Sequence, residues 1–406
     1  MGSISKRLRS LEKTPMNETL DDNDSGGCDN TDRISNLPDS ILCHILSFLP
    51  TKYAVATSIL SSKWKNLFPS IPNLRIRLDD SLFLHPESVS DTYLIRFMNF
   101  VDRLFNITLR DVPCIHALHL SCERFDDGRH ISNWVRAALH LNVKKVHLQI
   151  HSSRNSNLLV DSLFGCKIEC LNLTFDFIQH VPECRFSLPN LKMLVVQGMK
   201  FNSVNKIYAG CPLLECLVIN KCTCYPGQTI RICIPTLKVL VLFSNFCHQK
   251  FDLELDTPKL ERLHYRGSMA DCFLVNNLNS LHMAYLDLCR NRHQNPYDFS
   301  QHAAEFIKAC VNVEKLYLSE NIITMLQHFP RPMPQFRNLL FLTIRIDTFG
   351  WKFLRSLLNC APGLKNVFII EGFNEECYEK FKSSLPESML HWFVTRRGKS
   401  YFWSSN

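Results

Sequence analysis

From about residue 115 to 370 the chain repeats one arrangement: an apolar residue, two of any kind, then two apolar residues separated by a single position. The triplets begin with Ile115/Leu118/Leu120, Val143/Val146/Leu148, Ile168/Leu171/Leu173 and Leu191/Leu194/Val196. They continue as Leu214/Leu217/Ile219, Leu237/Leu240/Leu242, Leu260/Leu263/Tyr265 and Met283/Leu286/Leu288. Val313/Leu316/Leu318, Leu339/Leu342/Ile344 and Leu364/Val367/Ile369 complete the series. The middle residues Leu171, Leu194, Leu217, Leu240, Leu263 and Leu286 are each 23 positions apart, and the steps on either side range from 25 to 30. Alternating apolar residues describe a short strand with one buried face. Strands one period apart stack in parallel and pool their leucines into a core that no single repeat could build. The period falls within the roughly 20–29 residues of a leucine-rich-repeat solenoid, the fold expected here.

The segments returning between strands vary in length, and HAAEFIKACVN and FGWKFLRSLLNCAP read as helices. They belong on the convex side, which leaves the residues between the leucines on the concave face, the customary binding surface. By that register Arg262, His264 and Arg266 share one strand, Lys315 and Tyr317 a later one, and Phe341, Thr343 and Arg345 the next. Phe243 precedes them. Basic and aromatic residues together make a recognition surface. Phe243, Arg262, His264, Arg266, Tyr317 and Arg345 are therefore the substrate-binding candidates, with a solvated charged face as the competing reading of each.

Ahead of the repeats the periodicity changes. Residues 1–31 are polar and carry an acidic run at 21–24, too little apolar surface to offset the entropy of ordering, so disorder is expected. In DRISNLPDSILCHILSFLP, the residues Ile41, Leu42, Ile45, Leu46 and Leu49 form one broad helical face. Pro38 suits an early helical position, Ser35 or Asn36 offers a cap, and Pro50 ends the helix. TKYAVATSIL predicts a second short helix with Val55 and Ile59 on one side. Ser61 or Ser62 can cap a third, which carries Trp64 and Leu67. Three helices in so short a stretch make too small a core to stand alone, which points to a docking module.

LPDSILCHILSFLP followed by AVATSILSSKWKNLF resembles the F-box of plant F-box proteins, with its Leu-Pro opening, paired aliphatics, second Leu-Pro and Ser-x-x-Trp end. The resemblance covers about residues 32–75, and Ser40 departs from it where the family commonly has Glu. KIYAGCPLLECLVINKC resembles the leucine-rich repeats of the same proteins. LPESMLHWFVTRRGKS, at 385–400, resembles the opening of their C-terminal FBD module, of which only the first strand or so is present. The resemblance implies a non-catalytic substrate receptor of a ubiquitin ligase. Its F-box would dock to a Skp-type adaptor, and through it to cullin and RING subunits, while the solenoid binds a target protein for ubiquitination. The adaptor-binding positions so implied are Leu37, Pro38, Ile41, Leu42, Ile45, Leu49, Pro50, Val55, Leu60 and Trp64. For Ile45, Leu46 and Trp64, packing of the three helices on one another is an equal reading.

The expected architecture is α/β, a three-helix F-box followed by a leucine-rich-repeat solenoid with a parallel sheet on its concave face. Its expected divisions are a disordered tail (1–31), the F-box (32–75), a connecting segment (76–114), the solenoid (115–384) and the partial FBD-like segment (385–406).

Composition narrows the function. A net charge of +8 over 406 residues permits an acidic partner but is weak for a nucleic-acid binder. No apolar run approaches the roughly 20 residues of a membrane span, and the start MGSISKRLRS lacks an apolar signal region. Nucleus or cytoplasm is the expected location, with Lys6, Arg7 and Arg9 either a weak nuclear signal or a solvated tail. The 18 cysteines, without a secretory signal, read as reduced thiols. Cys211, Cys216, Cys222 and Cys224 do not form zinc-type pairs. Cys166, Cys211, Cys310 and Cys360 sit just ahead of triplets, where a small apolar side chain fills the turn. His119, His147 and His264 fall at outward strand positions. With no phosphate loop, nucleophile elbow or zinc-protease motif, neither catalytic residue, cofactor nor metal is expected. Two alternatives stay open: an F-box scaffold acting outside degradation, and a small-molecule receptor. The regular spacing before Leu286 leaves the latter little room for an enclosing loop.

Overall fold

Each apolar triplet leads into a strand, and the strands lie side by side in chain order. The computed structural model describes residues 34–84, 90–125, 127–151, 163, 166–179, 187–244, 250–290, 294–326, 333–345, 351–370 and 400–401. The tail at 1–31, with Lys6, Arg7 and Arg9, and the FBD-like stretch up to residue 399 lie outside the described residues. The first strands are β1 (Arg75–Asp79), β2 (Ala117–Cys122), β3 (Lys145–Ile150), β4 (Cys170–Gln179), β5 (Met193–Met199) and β6 (Cys216–Cys222). Next come β7 (Gln228–Cys233), β8 (Val239–Ser244), β9 (Phe251–Asp256), β10 (Arg262–Ser268), β11 (Cys272–Asn276) and β12 (Met283–Cys289). Last are β13 (Lys315–Leu318), β14 (Phe341–Arg345), β15 (Asn366–Ile370) and the two-residue β16 (Ser400–Tyr401).

The main sheet runs β1-β2-β3-β4-β5-β6-β8-β10-β12-β13-β14-β15, every pair parallel, with β16 antiparallel on β15. β11-β9-β7 form a second parallel sheet on the return segments, where Ile230, Ile232, Phe251, Leu253 and Leu255 alternate inward. Elsewhere the returns carry helices. They include α3 (Ser90–Arg103), α4 (Gly128–His140), α5 (Phe201–Tyr208), α6 (Pro296–Ala309), α7 (Glu320–Leu326) and α8 (Trp351–Asn359), which follow α1 (Asp39–Ser47) and α2 (Thr51–Ala56) in the N-terminal module. Their starts are locally encoded: the Asp127 carboxylate accepts the Arg129 N–H at 2.9 Å, and Asn295 accepts that of Tyr297 at 3.0 Å just ahead of Pro296.

One continuous core runs from Leu42 to Ile369, so the helical module and the array share a single apolar interior. The aliphatics Leu118, Val146, Leu194, Leu217 and Leu240 are fully buried in it. Cys211 and Cys310 are buried and Cys166 and Cys360 half-buried ahead of their strands. The module is fastened to β1 by polar contacts as well. Thr51 Oγ1 accepts the Arg77 N–H at 2.7 Å, and Lys52 Nζ donates to the Leu82 carbonyl at 2.7 Å. Asp80, itself buried, accepts three backbone N–H groups, from Glu123, Arg124 and Phe125, at 2.8–2.9 Å, and so ties the end of β1 to the loop after β2.

Three features depart from the sequence reading. Leu263 pairs with Ala284, and Tyr265 with Leu286, so the last 23-residue step ends two residues early and the true triplet is Leu281/Ala284/Leu286. Because strands repeat every two residues, the shifted triplet keeps Leu286 and Leu288 inward but wrongly takes Met283 for a core residue, although it is 39% exposed. Second, β1 already belongs to the sheet, within the stretch read as a connection. Third, the third helix is a single 3-10 turn, Trp64–Asn66, with Lys63 rather than a serine at its N-cap position. A further 3-10 turn, Thr57–Ile59, continues α2, and α1 starts after Pro38 with no side-chain cap. Ser35 instead accepts the Trp64 indole N–H at 2.9 Å, while Lys63 Nζ donates to the Ser35 and Leu37 carbonyls at 2.6 and 2.8 Å.

Candidate functional site

Two surfaces stand out. The first is the outer side of α1 and α2. Along α1 the helical period divides the aliphatics: Leu42, Cys43 and Leu46 are buried, whereas Ile41, Ile45 and Phe48 face outward. Ile34, Leu49, Tyr53, Ile59 and Leu60 extend the exposed set, with Ile59 at 86% and Phe48 at 69%. So many large apolar side chains left bare within 27 residues is what an unpartnered binding surface looks like.

Against this geometry the ten implied adaptor positions separate. Pro38, Ile41, Ile45, Leu49 and Leu60 are exposed, and Leu37, Pro50 and Val55 are half-buried. Leu42 and Trp64 are buried, which makes them the scaffold of the surface rather than part of it. Leu46 is likewise inside, while Ile45 is outside. Ile34, Phe48 and Tyr53 were not singled out from the sequence, and Ile59 was read there only as the apolar side of the second helix. A helical wheel drawn on Leu42 and Leu46 places Phe48 on the outer side with Ile41 and Ile45.

The second surface is the open face of the main sheet in its later strands. Register places Phe243 beside Arg266, and Arg266 beside Asp287. In the next row His264, Tyr285, Tyr317 and Thr343 are consecutive neighbours. The rings form a ladder. Phe243 meets His264 edge-on at 5.1 Å, His264 lies 4.0 Å from Tyr285, and Tyr285 stacks on Tyr317 at 3.8 Å with the planes 5° apart. Around the ladder, Arg266 Nε reaches Asp287 at 3.2 Å and Lys315 Nζ lies 5.3 Å from the Phe341 ring. Burial, then the Arg266 charge, lowers the His264 pKa, with Asp287 opposing, so the imidazole is neutral at pH 7. Its Nε2 is shielded from solvent without a hydrogen-bond partner among the described residues. Burial pushes the Tyr317 phenol far above its usual value, and the hydrogen bond with Tyr285 adds to it.

Of the six candidates, the structure brings Phe243, His264, Arg266 and Tyr317 into this ladder. Arg262 is exposed one row away beside Met283, and Arg345 is half-buried at the end of β14. Sequence reasoning passed over Tyr285 and Asp287. The inward Leu286 and Leu288 already place both outward, so the signal was present.

Cys222 and Cys224 are buried. Burial lifts the Cys222 and Cys224 thiols to about 11, and the described residues contain no group of three or more side chains able to hold a metal ion. No helix among the described residues is long and apolar enough to cross a membrane.

Comparison with known proteins bears on both surfaces. Residues 34–75 match the F-box domain family, and residues 131–277 match the family described as FBD-associated F-box protein At5g56370, LRR repeats. The chain is 35% identical to the F-box/LRR-repeat protein At4g14103 of Arabidopsis thaliana, over 83% of this chain and 91% of that protein. It is 32% identical to the F-box/LRR-repeat protein At4g14096 of the same plant, over 88% of this chain and 76% of the relative. With the F-box/LRR-repeat protein At3g59200 the identity is 31%, over 85% and 71%.

Proposed function

The chain belongs to the F-box/LRR-repeat family, and from that premise we propose that it is the target-recognition subunit of a SKP–cullin–F-box ubiquitin ligase. F-box domains in general bind a Skp-type adaptor, and the exposed row Ile41, Ile45 and Phe48 supplies the apolar contact for it here. The ring ladder and exposed cations on β8 to β14 hold the target. Bond-making takes place on other subunits. Holding a target beside the ubiquitin-charged enzyme raises its effective concentration, and that is this chain's contribution. Such work belongs to the nucleus or cytoplasm.

The observation that carries the reading is the rigid join between the two surfaces. Thr51 and Lys52 are hydrogen-bonded to the backbone at Arg77 and Leu82, and the core is continuous across that join. An adaptor held on α1 therefore fixes the direction in which the open face presents its cargo. The functional units proposed are the helical module up to residue 75 and the array from β1 onward.

The test is proximity labelling with the intact chain and with Arg262→Glu/Lys315→Glu. Both side chains are exposed, so the variant keeps its fold. The proposal expects partners enriched by the intact chain to be lost while the adaptor is retained. An unchanged partner set would move target recognition off these strands.

A further inference from the structure

A second cluster occupies the opposite end of the same open face, on the three strands nearest the helical module. Register places Arg75, Ala117 and Lys145 in one row across the three strands, and Arg77, His119 and His147 in the next. These side chains, with His116, line a recess of about 250 Å³ that opens to solvent. Six of its lining residues are basic and none is acidic. The His119 and His147 rings stack at 5.7 Å with planes 19° apart. Arg75, Arg77 and Lys145 have no salt-bridge partner among the described residues. The nearest carboxylates are already engaged: Asp79 accepts from Ser81 N and Oγ at 2.9 and 2.6 Å, and Glu169 faces Lys144 at 3.9 Å.

The local field is positive. Burial lowers the pKa of all three imidazoles, and neighbouring cations lower them further: Lys145, Arg75 and Lys144 for His116, Arg77 for His119, and His119 with Lys145 for His147. Only Glu169 and Asp79 oppose them, and Cys170 completes the set of titratable neighbours from β4. A positive field disfavours a metal cation, while guanidinium groups on β1 and an ammonium group on β3, on either side of β2, attract an anion.

We propose that this recess binds a phosphomonoester, with Arg75, Arg77 and Lys145 contacting its oxygens and His119 and His147 taking up protons as it arrives. A phosphomonoester carries a charge of about −1.5 to −2 at neutral pH and three strong acceptor oxygens, which guanidinium groups match in pairs. Its charge reverses the local field, so the imidazoles gain protons on binding and add donors to the anion. The ring ladder begins on β8, four strand spacings beyond β3 and roughly 19 Å away at about 4.8 Å each, so the site is separate from the proposed target face. The phosphoryl group can come from a free metabolite or from a phosphorylated residue of a protein.

The test is calorimetric titration of the full-length chain at pH 7 and fixed ionic strength. The probes are O-phosphoserine, a short phosphoserine peptide and its unphosphorylated counterpart. Saturable binding is expected for both phosphorylated probes and not for the serine peptide. Arg77→Ala/Lys145→Ala should weaken it at least about tenfold, as the loss of charge-assisted hydrogen bonds requires, with an unchanged melting temperature. Repeating the titration in buffers of different ionisation heat should reveal proton uptake, which His119→Gln/His147→Gln removes. A peptide bound more tightly than O-phosphoserine identifies a protein source, and equal affinity a small one. No saturable binding, equal binding by Arg77→Ala/Lys145→Ala, or binding without proton uptake would overturn the proposal.

Discussion

In the repeat array Leu194, Leu217 and Leu240 are fully buried, whereas in the helical module Ile59 and Phe48 are among the most exposed large apolar residues of the chain. Both regions are built from units too small to bury their own apolar surface. Each repeat covers the next, and among the described residues the inward leucines of the strands, from Leu118 to Leu342, are buried. The helical module is covered on one side only, where Leu42, Leu46, Trp64 and Phe68 join the shared core. Its other side is left for a partner. The difference separates residues that hold the fold from residues that serve it, even when they are neighbours on one helix, as Ile41 and Leu42 are.

The comparison breaks most visibly if a repeat leucine is made polar. Leu217→Asp places an unpaired carboxylate in the middle of the array, a fault of several kcal/mol against a typical stability of about 5–15 kcal/mol. The expected result is loss of soluble, cooperatively melting protein, measured by calorimetry. Wild-type melting would contradict the register.

A smaller effect is expected where the first two strands of the array are tied together. Asp80→Ala leaves three backbone N–H groups without their acceptor, at a cost of about 2–3 kcal/mol. Denaturant melts should show a lower midpoint with an unchanged slope if β1, β2 and the rest of the shared core unfold together. Two transitions would show that the first strands part from the rest.

The smallest effect is on the open face. His119, His147 and His264 have pKa values below the ordinary 6.5. The folded chain therefore binds fewer protons there than the unfolded chain, and this contribution to stability is full above pH 6.5 and is lost as the pH falls below it. The melting temperature should fall modestly between pH 7.5 and 5.5, less so in His119→Gln/His147→Gln. An identical slope in the variant would remove the histidines from the account.

Much of this was legible in the sequence because a solenoid writes its core as a period. The triplets from Leu118 to Leu263 keep the expected register through β2 to β10. The reading failed where the local signal was degraded. β1 was missed because Asn73, whose φ of 53° lies in the left-handed region, stands where the triplet ahead of Ile76 and Leu78 needs an apolar residue. The register slipped at β12 because Ala284 is small and Met283 two residues off fits the same template. In the helical module the family pattern named Leu42 and Trp64 alongside Ile41 and Ile45, since a sequence motif records which positions are apolar and not which way they face.

The central claim is that the outward side of α1 is a partner surface and contributes nothing to the fold. It is tested most directly by Ile41→Asp/Ile45→Asp, with binding to purified Skp-type adaptor measured beside thermal melting. Surface substitutions of this kind leave stability within about 0.5 kcal/mol, while each apolar side chain removed from a partner interface weakens binding by roughly 1.5–3 kcal/mol. The account predicts an unchanged melting temperature and loss of adaptor capture at micromolar concentration. Undiminished capture by a variant that melts like the wild type would contradict it.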